Sequence, residues 1–238
     1  MKKWIVVFAC ILFTLVNSTI NAQEYSFSSS MYSQYLGVNG GIFLDDADMQ
    51  SAFDINWDNG IYTGIWWAVG MDDTDLSSNF GDEVDVKVGW TNSSNNWNWD
   101  IGFLYLMVTP LQTTHNDFAS LYADLSYKLT ESLSVYGRYE GYRHVATSDV
   151  NDGQFFFSGL KYNTAMGKWN LSARATLAWD DGAFSNSSGM FWSGDVSVSH
   201  SLIGKTCWMA GAKFADQLST HDSRESEIAY HVGISVTF

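Results

Sequence analysis

Past its first 22 residues, the apolar residues of this chain recur mostly with a period of two, and that excludes most folds at once. The segment from Glu227 to Phe238 sets Ile228, Tyr230, Val232, Ile234, Val236 and Phe238 on one face and Ala229, His231, Gly233, Ser235 and Thr237 on the other. A helix would space its apolar residues three and four apart, whereas strict alternation marks a strand with two unlike faces. Similar runs recur near residues 28–38, 49–57, 61–70, 83–91, 97–108, 117–129, 133–142, 154–162, 168–179, 190–200, 206–215 and 226–238. Clusters of Asn, Asp, Gly and Ser break them. Twelve is an even number, so the first and last strands can meet antiparallel. Most runs are about 9–13 residues long, the reach of a tilted strand that crosses a bilayer.

The connections fall into two classes that take turns along the chain. Short ones lie at Asp58–Gly60, Asn92–Asn96, Thr130–Ser132, Asn163–Gly167 and Ser201–Lys205, and long ones at Gly40–Asp48, Gly70–Asp82, Thr109–Asn116, Arg143–Gly153, Asp180–Gly189 and Asp216–Glu225. Short turns at one rim and long loops at the other are the habit of transmembrane barrels, with the short rim periplasmic. The single proline, Pro110, falls in a long loop, so no strand loses a ladder donor to it. A secreted β-sandwich also alternates, but it has no reason to sort aromatics by height. Here Trp57, Trp90, Trp97, Tyr127, Tyr162, Trp169, Trp208 and Phe238 sit at short-turn ends, and Trp67, Tyr105, Tyr139, Trp179, Trp192 and Phe214 toward long-loop ends. Two such girdles belong where rings meet lipid headgroups. The expected fold is all-β, a 12-stranded antiparallel transmembrane β-barrel over residues 23–238.

Residues 1–22 read as a secretory signal peptide: Lys2 and Lys3, an apolar run from Trp4 to Val16, and Ile20-Asn21-Ala22 before the cleavage point. That run is too short to span as a helix, and Phe8 spoils the pattern expected before a lipidated cysteine at Cys10. Cys207 is then alone, so no intramolecular disulfide is available. The net charge of −14 argues against nucleic acid as a partner.

Segment 227–238 resembles the terminal assembly signal of Gram-negative outer-membrane barrels, in which an apolar alternation closes on a final Phe. The resemblance implies the outer membrane as location and the barrel-assembly machinery as a partner of the last strand. Tyr35-Leu-Gly-Val-Asn-Gly-Gly41, Asp48-Met-Gln-Ser51, Asn59-Gly-Ile-Tyr-Thr-Gly-Ile-Trp-Trp67 and Gly81-Asp-Glu-Val-Asp-Val-Lys-Val-Gly-Trp90 together resemble the opening of the TorF-like porin family of proteobacterial outer-membrane β-barrels. The similarity covers about residues 32–90 and implies a porin-like barrel without a substrate. Members often carry Arg-Gly after the first aromatic; Leu36-Gly37 stands here instead, so no role of that arginine carries over.

If the aromatic and aliphatic parity faces lipid, the other parity lines the lumen. It carries Asp54, Asp85, Lys87, Asp100, Asp124, Lys128, Arg138, Glu140, Lys161, Arg174, Asp195 and Lys213. Charges pointed at lipid would cost about 2–4 kcal/mol each near the midplane. Pairing Leu129 with Leu133 sets Asp124 opposite Arg138 and Tyr122 opposite Glu140. Pairing Trp90 with Trp97 sets Lys87 opposite Asp100. Such ion pairs read either as a constriction with a transverse field or as a plug of paired charges filling a narrow barrel.

The long loops hold Asp45, Asp46, Asp48, Asp72, Asp73, Asp75, Asp82, Asp149, Asp152, Asp180, Asp181, Asp216, Asp222 and Glu225, and the short turns only Asp58 and Glu131. An acidic rim at a pore mouth favours cations. The same residues also serve as ordinary turn formers or as divalent-cation bridges to lipopolysaccharide. No EF-hand-like loop is present. Neither a Gly-x-Ser-x-Gly elbow nor a His-Glu-x-x-His helix occurs, and no enzyme, cofactor or metal is expected. The expected function is an outer-membrane channel in a Gram-negative bacterium for passive diffusion of small hydrophilic solutes, cation-favouring. The alternative is a non-conducting barrel for surface adhesion or lipopolysaccharide interaction. A loop folded into the lumen is also expected, with Thr109–Asn116 the candidate.

Overall fold

The structure, a computed structural model, describes residues 22–36, 42–44, 47–71, 83–108, 116–145, 152–182, 188–217 and 227–238. Its strands are β1 (Ala22–Tyr32), β2 (Tyr35–Leu36), β3 (Ile42–Leu44), β4 (Asp48–Trp57), β5 (Ile61–Gly70), β6 (Glu83–Ser94), β7 (Trp97–Val108), β8 (Asn116–Lys128), β9 (Leu133–His144), β10 (Gly153–Met166), β11 (Trp169–Asp180), β12 (Gly189–Ser201), β13 (Thr206–Gln217) and β14 (Glu227–Thr237). β1 and β4 to β14 close into one antiparallel barrel of twelve strands, β4 and β14 both pairing with β1. Closure leaves no sheet edge unpaired, which is the condition for a sheet in lipid. β2 and β3 pair only with each other.

Following register partners from Ser26 leads through Asp54, Gly64, Lys87, Leu104, Ser120, Tyr142 and Gly153. Continued at the same registers, the circuit returns to β1 sixteen residues farther along. A twelve-strand barrel with that stagger tilts its strands by about 45°. Rows of paired residues therefore climb around the wall instead of forming level rings.

The outward parity is apolar and bare. Ile101, Leu121, Leu125, Leu160, Val196 and Val232 are all exposed, and Leu121 keeps 64% of its surface open. A continuous belt of this kind is stable only against hydrocarbon. Aromatics rim it at both heights. At the short-turn end Trp97 packs on Tyr127 (4.7 Å), and Trp169 meets His200 (4.5 Å) and Trp208 (5.6 Å). At the long-loop end Phe156 lies between Tyr139 (5.1 Å) and Trp179 (5.6 Å), and Trp192 packs on Phe214 (4.9 Å).

Three boundaries differ most from the sequence expectation, one of them that of β10, which runs on to Met166 through most of the connection expected at Asn163–Gly167. The first barrel strand is Ala22–Tyr32, not 28–38. Tyr35 and Leu36 fall inside the expected run because they are apolar, yet the wall strand ends at Tyr32, and Ile42–Leu44, within the loop expected at Gly40–Asp48, form β3. The β6–β7 hairpin is also longer than expected. Both strands run on to Ser94 and Trp97, and the turn is Asn95–Asn96, with Asn95 at φ 53°. Asn tolerates that left-handed backbone, which a two-residue hairpin needs. The register moves accordingly: Lys87 faces Leu104, and Asp100 faces Thr91.

Candidate functional site

Each inward strand position is fixed by the ladder, so the luminal wall can be read off the registers. Asp54, Asp85, Lys87, Asp100, Asp124, Lys128, Arg138, Glu140, Lys161, Arg174, Asp195 and Lys213 share the inward parity. Asp48 and Asp180, read from the sequence as rim residues, also stand on the inner wall and are buried, at register with Tyr32 and Phe155. Glu83 and Glu227 join them through Ala68 and Ala215. Parity was the signal for all four: Glu83 lies two residues before Asp85, and Asp180 six after Arg174.

The charges are sorted around the circumference. β4, β6 and β7 carry Asp48, Asp54, Glu83, Asp85 and Asp100 against the single base Lys87. β8 to β13, across the lumen, carry Lys128, Arg138, Lys161, Arg174 and Lys213 against Asp124, Glu140, Asp180 and Asp195. One half is strongly acidic and the other close to balanced.

Ion pairs tie the walls locally. Lys87 reaches Asp54 at 2.7 Å across Gly64, where a Cβ would stand 2.0 Å from the carboxylate, so the glycine is the gap that admits the pair. Arg138 pairs with Glu140 on its own strand (3.1 Å), Lys161 with Asp124 (3.6 Å) and Arg174 with Asp195 (2.8 Å). Asp124 and Arg138 are register partners, as are Tyr122 and Glu140, but the ion pairs cross that register. Lys87 with Asp100 is not a pair, because the longer hairpin moved them apart. Arg138, Lys161 and Lys213 each lie over a tyrosine ring, of Tyr122 (4.6 Å), Tyr136 (4.3 Å) and Tyr32 (4.5 Å).

Lys128, Ser134, Lys161, Arg174, Asp195 and Lys213 occupy a single row of register partners. The stagger makes this row a ramp. It starts at Lys128, the last residue of β8 at the short-turn rim, and climbs to Lys213, inside the long-loop half of β13.

Among the described residues the inward segment is the β2–β3 hairpin; Thr109–Asn116, expected to fold inward, lies outside the described residues except for Asn116, which begins β8. The Tyr35 hydroxyl donates to Glu83 Oε2 at 2.7 Å, and its ring lies 5.8 Å from Trp66 on the inner face of β5. Burial, then the neighbouring Glu83 carboxyl, pushes the Tyr35 hydroxyl well above the usual phenol range. The next residue, Leu36, lines a cavity on the opposite wall with Arg138, Lys161, Arg174 and Lys213. β2 therefore straps across the lumen. Near the long-loop end of β7 to β12, Leu106, Phe118, Tyr142, Phe155, Ala178 and Phe191 pack together on the inner face. Residue type pointed these to lipid, but they fill part of the mouth.

At the long-loop rim Asp152 accepts from Arg143 (2.8 Å) and from the His144 backbone N–H (2.6 Å). The His144 backbone N–H, then Arg143, holds the Asp152 carboxyl below the usual carboxylate range. Asp181 accepts from the Gln154 backbone N–H at 2.5 Å, and Asp216 from the Trp192 indole at 3.2 Å. Asp45, Asp46, Asp72, Asp73, Asp75, Asp82, Asp149, Asp222 and Glu225 lie outside the described residues. Among the described residues no cluster of His, Cys, Asp and Glu has the arrangement of a metal site.

No family model matches the chain, and no curated protein matches it by sequence. Solved structures do match. The NanC porin superposes with a TM-score of 0.60 at 12% identity over 89% of this chain and 98% of that one. A KdgM porin in complex with disordered oligogalacturonate gives 0.58 at 14% identity over 90% and 99%. The COG4313 outer membrane channel from Pseudomonas putida F1 gives 0.57 at 9% identity over 93% and 98%. These likenesses are likenesses of fold.

Proposed function

We propose that this barrel is an outer-membrane channel of a Gram-negative bacterium through which small hydrophilic solutes diffuse, with small cations favoured over anions. The observation that carries the reading is the sorted luminal charge: an acidic half holding five carboxylates against Lys87 faces a nearly neutral half across the barrel. A wall with excess negative charge concentrates cations, and opposed walls of unlike charge orient dipolar solutes. The girdled apolar belt supports the membrane setting. The likeness to barrels described as porins and as an outer membrane channel supports the transport role. The last strand, β14, is the segment offered to the barrel-assembly machinery, and lipopolysaccharide is the partner of the acids in the long loops. Tyrosine and leucine of the strap, with the aromatic cluster at the mouth, favour a second reading, a non-conducting barrel whose loops engage surfaces.

Purified protein in a planar bilayer separates these readings. Discrete conductance steps with a cation-signed reversal potential under a KCl gradient are expected. Silence overturns the channel, and an anion-signed potential overturns the role of the acidic half.

A further inference from the structure

The outer wall carries a basic side chain where the pattern of the strands leaves no place for one. Of the lysines and arginines on the described strands, Lys87, Lys128, Arg138, Lys161, Arg174 and Lys213 share the inward parity, and Arg143 alone takes the outward one. It stands one residue before the end of β9, past Tyr139 of the long-loop girdle, with 78% of its side chain open. A charge on the lipid face is tolerated at that height because headgroups surround it.

Beside it a groove of about 590 Å³ opens in the outer wall. Gly141 and Ala119 form its floor. Gly141 is the register partner of Leu121 and of Gln154, and Ala119 that of Arg143, so two small residues lie among the larger outward neighbours Leu121, Phe103 and Tyr139. The belt around them lies in hydrocarbon, so what fills a groove there is a lipid chain. The volume is that of a ligand pocket.

The polar end of the groove is lined by Arg143, Asp152, Gln154 and Asp181. Arg143 meets Asp152 through Nη1 at 2.8 Å, an exposed and therefore weak pair that leaves guanidinium donors turned outward. Asp152 and Asp181 also accept from the backbone N–H groups of His144 and Gln154, which offset part of their charge and hold them as acceptors. This end offers one guanidinium to an anionic group and two carboxylates to the hydroxyl and N–H donors around it. A phosphate on an acylated amino sugar presents that combination, whereas a glycerophospholipid brings the phosphate with few donors.

We propose that this groove is a seat for lipid A, the membrane anchor of lipopolysaccharide, with one acyl chain over Gly141 and a sugar phosphate on Arg143. The placement of the long-loop rim in the outer leaflet rests on the outer-membrane reading above, and the lumen takes no part.

The test is native mass spectrometry of the full-length barrel folded in detergent micelles, with lipid A, dephosphorylated lipid A and phosphatidylglycerol added in turn. Lipid A is expected to stay bound, and each of the other two to bind about tenfold more weakly, the loss of one charge-assisted contact set. Arg143→Met is expected to weaken lipid A by a similar factor. Gly141→Val, which puts a side chain on the floor where a Cβ would stand 2.7 Å from the Tyr139 hydroxyl, should also weaken it. Asp152→Asn breaks the same rim pair but keeps the guanidinium, and should retain lipid A. Each variant is first checked for a folded barrel by its gel mobility before and after boiling. Absence of a lipid A adduct, equal binding of the dephosphorylated form or of phosphatidylglycerol, or full binding by a folded Arg143→Met overturns the site. So does a loss in Asp152→Asn as large as in Arg143→Met, which would trace the effect to the rim's own folding. If Arg143→Met does not fold, the three lipids and Gly141→Val decide. Conductance steps without lipid A binding leave the channel and remove the site, and binding without conductance leaves the site and removes the channel.

Discussion

The Tyr35–Glu83 contact makes the strap testable by removal of a single oxygen. Tyr35→Phe keeps the ring against Trp66 and deletes only the hydroxyl that donates to Glu83 Oε2 at 2.7 Å, a bond between two buried groups. A buried carboxyl that loses its donor costs about 1–3 kcal/mol. The ring contact with Trp66 survives the substitution, so the loss is expected to fall on the equilibrium between the docked and the undocked hairpin. At about 1.4 kcal/mol per decade, the undocked fraction rises roughly 5- to 150-fold. Amide hydrogen exchange by mass spectrometry on the micelle-folded protein reads this directly. Exchange in Tyr35–Leu36 and Ile42–Leu44 is expected to accelerate by that factor, while the β7–β8 ladder stays as in the wild type. Unchanged exchange in the hairpin would refute the claim that this bond holds it inside the lumen. Equal acceleration everywhere would place the cost on the barrel instead.

Other outcomes follow from the inner wall. Glu140→Ala strips the partner from Arg138, and because Glu140 is nearly buried while the guanidinium is 31% exposed, a loss of about 2–3 kcal/mol in urea unfolding is expected. Gly102→Val forces a side chain into the Tyr122 ring, whose Cζ lies 2.4 Å from where a Cβ would sit; it should cost about 1–3 kcal/mol by the same assay. It should also part Tyr122 from Tyr62, whose hydroxyl donates to Asp100 at 2.6 Å. Lys87→Met frees Asp54 on the acidic half, and the reversal potential in a KCl gradient should move further toward the cation limit. Unboiled protein should migrate apart from boiled protein on a denaturing gel, and one mobility for both would count against the closed barrel.

The strand count and the two rims were legible because alternation is a property of neighbouring residues and needs no distant partner. What failed needed one. Tyr35 and Leu36 read as part of the first wall strand, since a sequence cannot distinguish an apolar residue bound for the wall from one bound for the inside of a barrel. The same confusion hid Phe118, Phe155 and Phe191, whose parity was inward but whose type was outward. The β6–β7 register turned on which of Asn92, Asn95 and Asn96 formed the turn, and only the backbone of Asn95 decides it. The inward face of the mid-strand charges follows from parity, but their partners do not: Arg138 chose a neighbour two residues along its own strand, and Lys161 reached across β9.

The seam between β1 and β14 is unlike the rest of the wall. It has seven register pairs, from Ser26 with Thr237 to Tyr32 with His231, where β10 and β11 have twelve. Its inner side chains are Ser26, Ser28 and Ser30 against Thr237, Ser235 and Gly233, too small to interlock, and the upper end is closed by the Tyr32–His231 stack at 4.9 Å with hydrogen bonds between Ser33 and Tyr230 and between Gln34 and Glu227. Every other ladder joins strands that follow one another around the barrel and along the chain, with only the β2–β3 segment between β1 and β4, so a sheet can grow strand by strand, but this contact waits until all eleven other ladders are in register. The seam is thus the last stretch to zip during assembly and the first to fray on heating. The earliest amides to exchange in the barrel wall should be those of Ser26–Ser30 and Gly233–Thr237.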